Sequence, residues 1–251
     1  MHRILANGKT EFIGVIVPDL YHHYYSEMLN QILTSYEKFG YKFLVFIGNK
    51  SEEIEREDEF VSSVNTDNYM GGYQATSLLV RHKCDVLIHI NSPTLKCVPS
   101  YGRLQGFVDL CEEKQLKNEV YIREMGHSYE STYNVLFSII EELDTKYNGM
   151  KKGIFISNDT HANVFLNILF RKYGKLPDDY LIIGFDNSPI SSEAIIPIST
   201  IEQQINIIAE EAVSLLVDQM NERKKRHPSL PDKPIHKVIT PILIRRETTE
   251  R

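Results

Sequence analysis

Cysteine is scarce in this 251-residue chain, and its three copies, Cys84, Cys97 and Cys111, are odd in number with no C-x-x-C spacing. That excludes a disulfide framework and gives no zinc-site pattern, so the thiols read as buried or surface side chains. The nine histidines show no H-E-x-x-H or comparable ligand spacing, and His22 and His23 form their only adjacent pair. No metal and no cofactor is therefore expected. Apolar residues never run for 18 in a row, and Met1 to Thr10 lacks the apolar core of a secretory signal. The expectation is a soluble, cytoplasmic chain with no membrane partner.

Positive charge is also short, with 28 Lys and Arg against 34 Asp and Glu for a formal charge of −6. A nucleic-acid surface needs a clustered basic face, so none is expected within these residues. The run Arg223-Lys224-Lys225-Arg226-His227 has no interleaved aromatics and reads as a solvated loop. A nucleophile elbow, a phosphate-binding glycine loop and a tuned carboxylate pair are likewise missing, so no residue is assigned to catalysis and an enzyme is not expected.

What is present is an ordinary globular composition, 42% hydrophobic and 25% charged, arranged as alternating strand and helix patterns. Phe12 to Val17 is a β-branched-rich run stopped by Pro18-Asp19, as a buried parallel strand would be. From Tyr24 apolar residues recur at three- and four-residue steps through Tyr36, and Gly40 sits where a helix ends. Tyr41 to Ile47 follows as a strand, then Ser51 as a helix N-cap with Glu52, Glu53 and Glu55 in the first turn. Downstream, strands are predicted at 86–90, 120–122, 153–157 and 180–185, helices at 103–111, 131–143, 160–173 and 201–221, and a last strand at 237–244. Such alternation implies an α/β fold of doubly wound parallel sheets.

Polar residues stand where these apolar runs end. The four segments are Val15 to Asp19 followed by Tyr21 to Tyr25, Arg103 to Phe107, Phe155 to Asp159, and Ile182 to Asn187. In an open α/β sheet ligands sit beyond the carboxyl ends of the strands, so these residues point to a receptor for a small hydrophilic molecule.

The order of short motifs then resembles the sugar-responsive LacI/GalR transcriptional repressors, in their periplasmic-binding-protein-like effector domain. The matching segments are Gly8-Lys9-Thr10 before Ile13 to Asp19, Asp67-Asn68-Tyr69-Met70-Gly71-Gly72, Arg103 with Gly106-Phe107, Ser157-Asn158-Asp159, Gly184-Phe185-Asp186-Asn187, Thr200-Ile201-Glu202-Gln203 and Leu243-Ile244-Arg245-Arg246-Glu247. The resemblance implies two α/β lobes of periplasmic-binding-protein type I joined by three crossovers, an effector in the cleft between them, and a homodimer. It implies a remnant of the hinge helix at 1–8, a first lobe at 9–82 plus 201–222 and a second at 83–200 plus 235–247. Operator DNA would be met through an N-terminal helix-turn-helix that is not within these residues. Effector identity, inducer or co-repressor action and the operator are not legible. A transporter's solute-binding protein of the same architecture is the alternative. One departure stands out, because the family's first lobe holds about 30 more residues, a strand-and-helix unit, between Asn49 and Asp67. Either a stretch near Glu59 and Phe60 is absent from the sequence or the unit is deleted. The former is favoured, since losing an interior strand would leave ladder groups and an apolar face unpaired.

The candidate ligand residues are Tyr21, His22, Tyr24, Asp67, Arg103, Asn158 and Asp186. In similar proteins a carboxylate at the place of Asp186 accepts bonds from sugar hydroxyls, which charge strengthens; Asp-Asn is equally turn chemistry. Arg103 opens a helix, where the dipole gives a cation no structural benefit, and its fork suits a diol or an anion. Asn158 and Asp159 could instead cap the following helix. Asp67 matches a family ligand position. Aromatic faces such as Tyr24 stack on sugar C–H faces; Tyr25 is as readily core, and His22-His23 replaces the usual Asn-Pro of the family.

Overall fold

The computed structural model describes residues 12–17, 23–39, 42–47, 62–93, 99–126, 128–225 and 233–250. The elements in chain order are β1 Phe12–Val17, α1 His23–Glu37, β2 Lys42–Ile47, β3 Ser63–Thr66, α2 Asn68–Arg81, β4 Val86–Asn91, α3 Pro99–Glu113, β5 Asn118–Ile122 and α4 Tyr129–Lys146. They continue as β6 Lys152–Ile156, α5 Asp159–Tyr173, β7 Tyr180–Ile183, α6 Pro189–Glu193, β8 Thr200–Glu202, α7 Ile205–Arg223, β9 His236–Ile239 and β10 Ile242–Ile244. The chain divides into two compact units, 1–65 with 205–237 and 66–204 with 238–251, so it passes from one to the other three times. Among the described residues no helix is long and apolar enough to cross a membrane.

The second unit is built on a parallel sheet in the order β5-β4-β6-β7. Alternate residues of a strand point to opposite faces. Val86, Ile88 and Ile90 join Leu136, Ile139, Phe165 and Leu169 of α4 and α5, while Leu87 and Phe155 join Leu78, Leu79, Phe107 and Cys111 of α2 and α3. Both faces are covered, which is why these strands read as unbroken apolar runs. Glycine decides how closely α2 and α3 approach: a Cβ on Gly72 would stand 2.2 Å from the Arg103 carbonyl oxygen, and one on Gly106 2.2 Å from that of Tyr69. Helix ends follow local rules. Ser128 and Ser131 cap α4 reciprocally, Asn158 caps α5, and Gly174 closes α5 at φ +73°.

In the first unit β1 and β2 pair in parallel, Phe12 with Lys42 through Val17 with Ile47. Helices α1 and α7 pack through Tyr36, Val213 and Val217, with Ile13 and Ile32 beside them.

Several boundaries differ from the sequence reading. Helix α2, overlooked as an element and placed with the first lobe by the 9–82 boundary, packs with the second unit, against α3. Of the segment 201–204 expected to begin a helix, Ile201 and Glu202 instead belong to strand β8, paired antiparallel with β10, and the helix starts at Ile205. The expected last strand 237–244 is two strands, β9 and β10, because Pro241 lacks the N–H a ladder needs. Helix α3 starts at Pro99, a favoured first helical residue, which places Arg103 one turn inside it. The hinge remnant, the Ser51 helix, Tyr21, His22, Cys97 and the short connection near Glu59 and Phe60 lie outside the described residues.

Candidate functional site

The carboxyl ends of β6 and β7 carry Ser157-Asn158-Asp159 and Gly184-Phe185-Asp186-Asn187. Both segments turn sharply, and Asp186 and Asn187 hold positive φ values of 119° and 53°. Outside glycine such conformations are rare, tolerated best by Asp and Asn, and persist where surrounding contacts fix them. Here the Asp186 N–H donates to the Ile201 carbonyl at 2.8 Å and the Asn187 N–H to Thr200 Oγ1 at 3.3 Å.

Two of the expected residues meet. Arg103 Nη1 lies 3.6 Å from Asp186 Oδ1, and both side chains are about nine-tenths buried or more. The guanidinium also donates through Nε to Asn68 Oδ1 at 2.9 Å and through Nη1 to the Ser157 carbonyl, and its plane lies over the Phe185 ring, 3.7 Å from the centroid. Gly71 makes room for that ring, since a Cβ there would stand 2.6 Å from Phe185 Cε2. Asp186 Oδ1 accepts from Gln203 Nε2 at 2.6 Å, and Gln203 Oε1 accepts from Thr66 Oγ1 at 2.7 Å. A single network thus runs from Thr66 through Gln203, Asp186 and Arg103 to Asn68.

Behind it is a second buried carboxyl. Asp159 accepts from Thr200 Oγ1 at 2.7 Å and from the N–H and hydroxyl of Ser188 at 2.9 and 3.3 Å. Burial raises the Asp159 pKa well above the ordinary carboxylate value, and the neighbouring Asp186 charge adds to that. Burial likewise raises Asp186, to about 6, against the pull of Arg103 and Gln203 toward the ionised form.

His89 is fully buried on β4. Its ring lies 4.6 Å from Phe155 and 5.3 Å from Phe107. The Phe155 carbonyl 3.1 Å from Nδ1 can only accept, so Nδ1 carries the proton and Nε2 is a bare, buried acceptor with no partner among the described residues. Burial drives this imidazole down to about 3, with Arg103 acting in the same direction.

The remaining expected residues are placed differently. Asp67 caps α2, accepting from the Met70 N–H at 2.9 Å. Asn158 Oδ1 accepts from the His161 N–H at 2.8 Å, capping the helix, and its Nδ2 lies 3.0 Å from His161 Nδ1, so both ends of its amide are engaged by His161. Tyr24, on α1 of the first unit, packs edge-on to Tyr25 at 5.4 Å. The sequence reading gave no role to Thr66, Asn68, Phe185 and Gln203, although the last three fall in the motifs that carried the resemblance.

Comparison with known proteins agrees with this geometry. The family of periplasmic binding protein-like domains matches residues 76–249, more than half of the chain. A ribose operon repressor of Halalkalibacterium halodurans is 22% identical over 88% of this chain and 76% of its own length. The transcriptional repressor PurR of Histophilus somni is 28% identical over 68% of this chain and half of its own. Among solved structures, a LacI family transcriptional regulator from Enterococcus faecium with bound ribose superposes with a TM-score of 0.76 at 19% identity, over 94% of this chain and 98% of that one. The chain belongs to the periplasmic-binding-protein-like domain family.

Proposed function

We infer that this chain is the effector-sensing domain of a LacI-type repressor of carbohydrate metabolism, and that a sugar or related small polar metabolite meets the strand-end network of the second unit. One observation carries the reading: Arg103, Asp186 and Gln203 come from a helix and two strand ends far apart in sequence, yet form one buried polar group. Such a group, held by Asn68 and Thr66 behind it, is preorganised before any ligand arrives, which lowers the ordering cost of binding. The relative named a ribose operon repressor and the ribose-bound regulator of the same fold support a carbohydrate.

In this reading Asp186 accepts ligand hydroxyls and Arg103 donates to ring or hydroxyl oxygens. Tyr21, His22 and Tyr24 remain proposed ligand residues on chemical grounds, as polar and aromatic side chains suited to a sugar. Asp67 and Asn158 hold helix starts and so position the network. No bond of the ligand is made or broken. Its binding selects one conformation of a homodimer, and operator DNA is met through a preceding helix-turn-helix. Only a difference in affinity between two states can drive such a shift.

A thermal-shift screen with mono- and disaccharides tests this. A ligand bound to the folded state alone, at a hundred times its Kd, adds about 2.7 kcal/mol of apparent stability. The expected result is a raised midpoint with at least one sugar; a flat response to all of them would redirect the search to nucleosides, purines or amino acids. Operator affinity that is the same with and without that sugar would count against the regulatory half of the reading.

A further inference from the structure

An asparagine side chain is open to attack by the backbone nitrogen of the residue that follows it, and glycine favours that attack because no Cβ bars the approach and its backbone turns freely. The chain holds two Asn-Gly pairs, Asn7-Gly8 and Asn148-Gly149; the first lies outside the described residues. The second joins α4 to β6. Helix α4 ends at Lys146, and its cap Tyr147 donates its N–H to the Leu143 carbonyl at 2.9 Å. The Met150 N–H then donates to the Tyr147 carbonyl at 3.1 Å, which closes a four-residue turn with Asn148 and Gly149 in its middle. Gly149 holds φ +70°, close to what a type II turn asks of its third residue. Both central residues are exposed, and a Cβ built on Gly149 meets nothing within 4 Å. The N–H groups of Tyr147 and Met150 are thus bound, whereas that of Gly149 has no hydrogen-bond partner among the described residues.

Other asparagines of the second unit are held. The amides of Asn68, Asn91, Asn158 and Asn187 are each engaged in hydrogen bonds, and Asn134, Asn163 and Asn167 lie inside α4 and α5, where the helix fixes the following nitrogen. We propose that Asn148 is a site of spontaneous covalent modification in the folded protein, deamidation through a succinimide. The Gly149 nitrogen gives its proton to solvent hydroxide and bonds to Asn148 Cγ, while the Cγ–Nδ2 bond breaks and ammonia leaves. Water then opens the ring. Attack at Cγ breaks the new bond and leaves an aspartyl side chain; attack at the main-chain carbonyl breaks the original peptide bond and leaves an isoaspartyl link, with an extra carbon in the backbone between α4 and β6. Either product puts a carboxylate just past the carboxyl end of α4, where the helix dipole disfavours negative charge. The strand-end network stands at the other end of β6, beyond Ile156.

Timed incubation of the folded protein at mildly alkaline pH, followed by tryptic digestion and mass spectrometry, tests this. Cleavage after Lys146 and Lys151 isolates the peptide that carries Asn148. The expected result is that this peptide gains the mass of an amide-to-acid exchange faster than any peptide carrying another described asparagine, and that it resolves into aspartyl and isoaspartyl forms. Gly149→Ala, checked for its fold by circular dichroism, should lose that gain over the same interval, because the methyl bars the attacking nitrogen. A gain no faster than at the other described asparagines overturns the proposal, as does an unchanged rate in the Gly149→Ala protein. Conversion that is seen only in urea also overturns it, since the folded turn would then be what blocks the attack.

Discussion

Strands β4 and β2 are six-residue apolar runs of similar composition, Val86–Asn91 and Lys42–Ile47, and the two units treat them differently. Every residue of β4 is buried between helical layers. In β2, Leu44 is 49% and Val45 43% exposed. Adjacent strand residues point to opposite faces, so both faces of β2 stand partly open among the described residues, where its one strand partner is β1. An apolar run thus specifies a strand, but the layers that bury it come from other parts of the chain. In the second unit those layers are α2 and α3 on one side and α4 and α5 on the other, and the same layers hold the strand-end network in place.

The largest effect should come from forcing two of those layers apart. Gly106→Ala places a methyl 2.2 Å from the Tyr69 carbonyl oxygen, and backbone cannot yield as a side-chain tip can. A loss of about 3 kcal/mol is expected in urea unfolding of the second unit. An unchanged midpoint would show that α2 and α3 pack less closely than their glycines imply.

Acid should act next, through the buried His89. His89 titrates near 3 when folded against about 6.5 when unfolded, so its neutral form adds stability above 6.5 that is lost as pH falls toward 3. The buried carboxyls have the opposite sign. With folded values raised, Asp186 to about 6, they contribute stability that is complete below the unfolded carboxylate value and lost as pH rises through their folded values. A His89→Leu variant isolates the first contribution. Between pH 6.5 and 4.5 it should gain about 2–3 kcal/mol relative to the parent protein, read as the difference between the two unfolding midpoints across that range. Equal slopes would mean that His89 is not dry.

The sequence carried more of the fold than of the site, for a physical reason. Strand and helix are local periodicities, so the parallel α/β order was legible, including β4, β6, β7 and α5 to within a few residues. Errors fell where a long-range partner decides: β8 is a strand only because β10 pairs with it, and α2 belongs with α3 through contacts no local pattern records. In the site, Arg103 and Asp186 were legible as polar residues beside apolar runs and they do meet. Gln203 and Asn68 were not singled out, because what matters about them is which atom each one bonds. Asn158 illustrates the limit most clearly, since cap and ligand contact need the same residue at the same place, and only geometry shows its amide engaged by His161.

A smaller effect should follow from loss of one charge in the second unit's network. Asp186→Asn keeps the shape and the positive-φ tolerance of the site but replaces an anionic acceptor with a neutral amide. For whichever sugar passes the screen, affinity should fall about 10- to 100-fold, the range set by charge-assisted hydrogen bonds, with the fold retained in circular dichroism. Calorimetry against the same sugar measures it. Undiminished affinity would place the ligand elsewhere than this strand end.

The smallest effect should be found in β2. Leu44→Thr puts a β-branched, strand-favouring residue at an exposed strand position, where substitutions usually stay within about 0.5 kcal/mol. Ile88→Ala in β4, by contrast, removes buried methyl groups and should cost roughly 2–5 kcal/mol. The pair forms one experiment, urea midpoints of both variants against the parent, and its ratio is the sharpest statement of the difference between the units. If Leu44→Thr also costs 2 kcal/mol or more, β2 is covered in solution and the contrast between the two sheets fails at its starting point. A near-zero cost would instead show that this strand tolerates a polar face, so that the strand-end network of the second unit is held by its own four strands and the helices on either side of them.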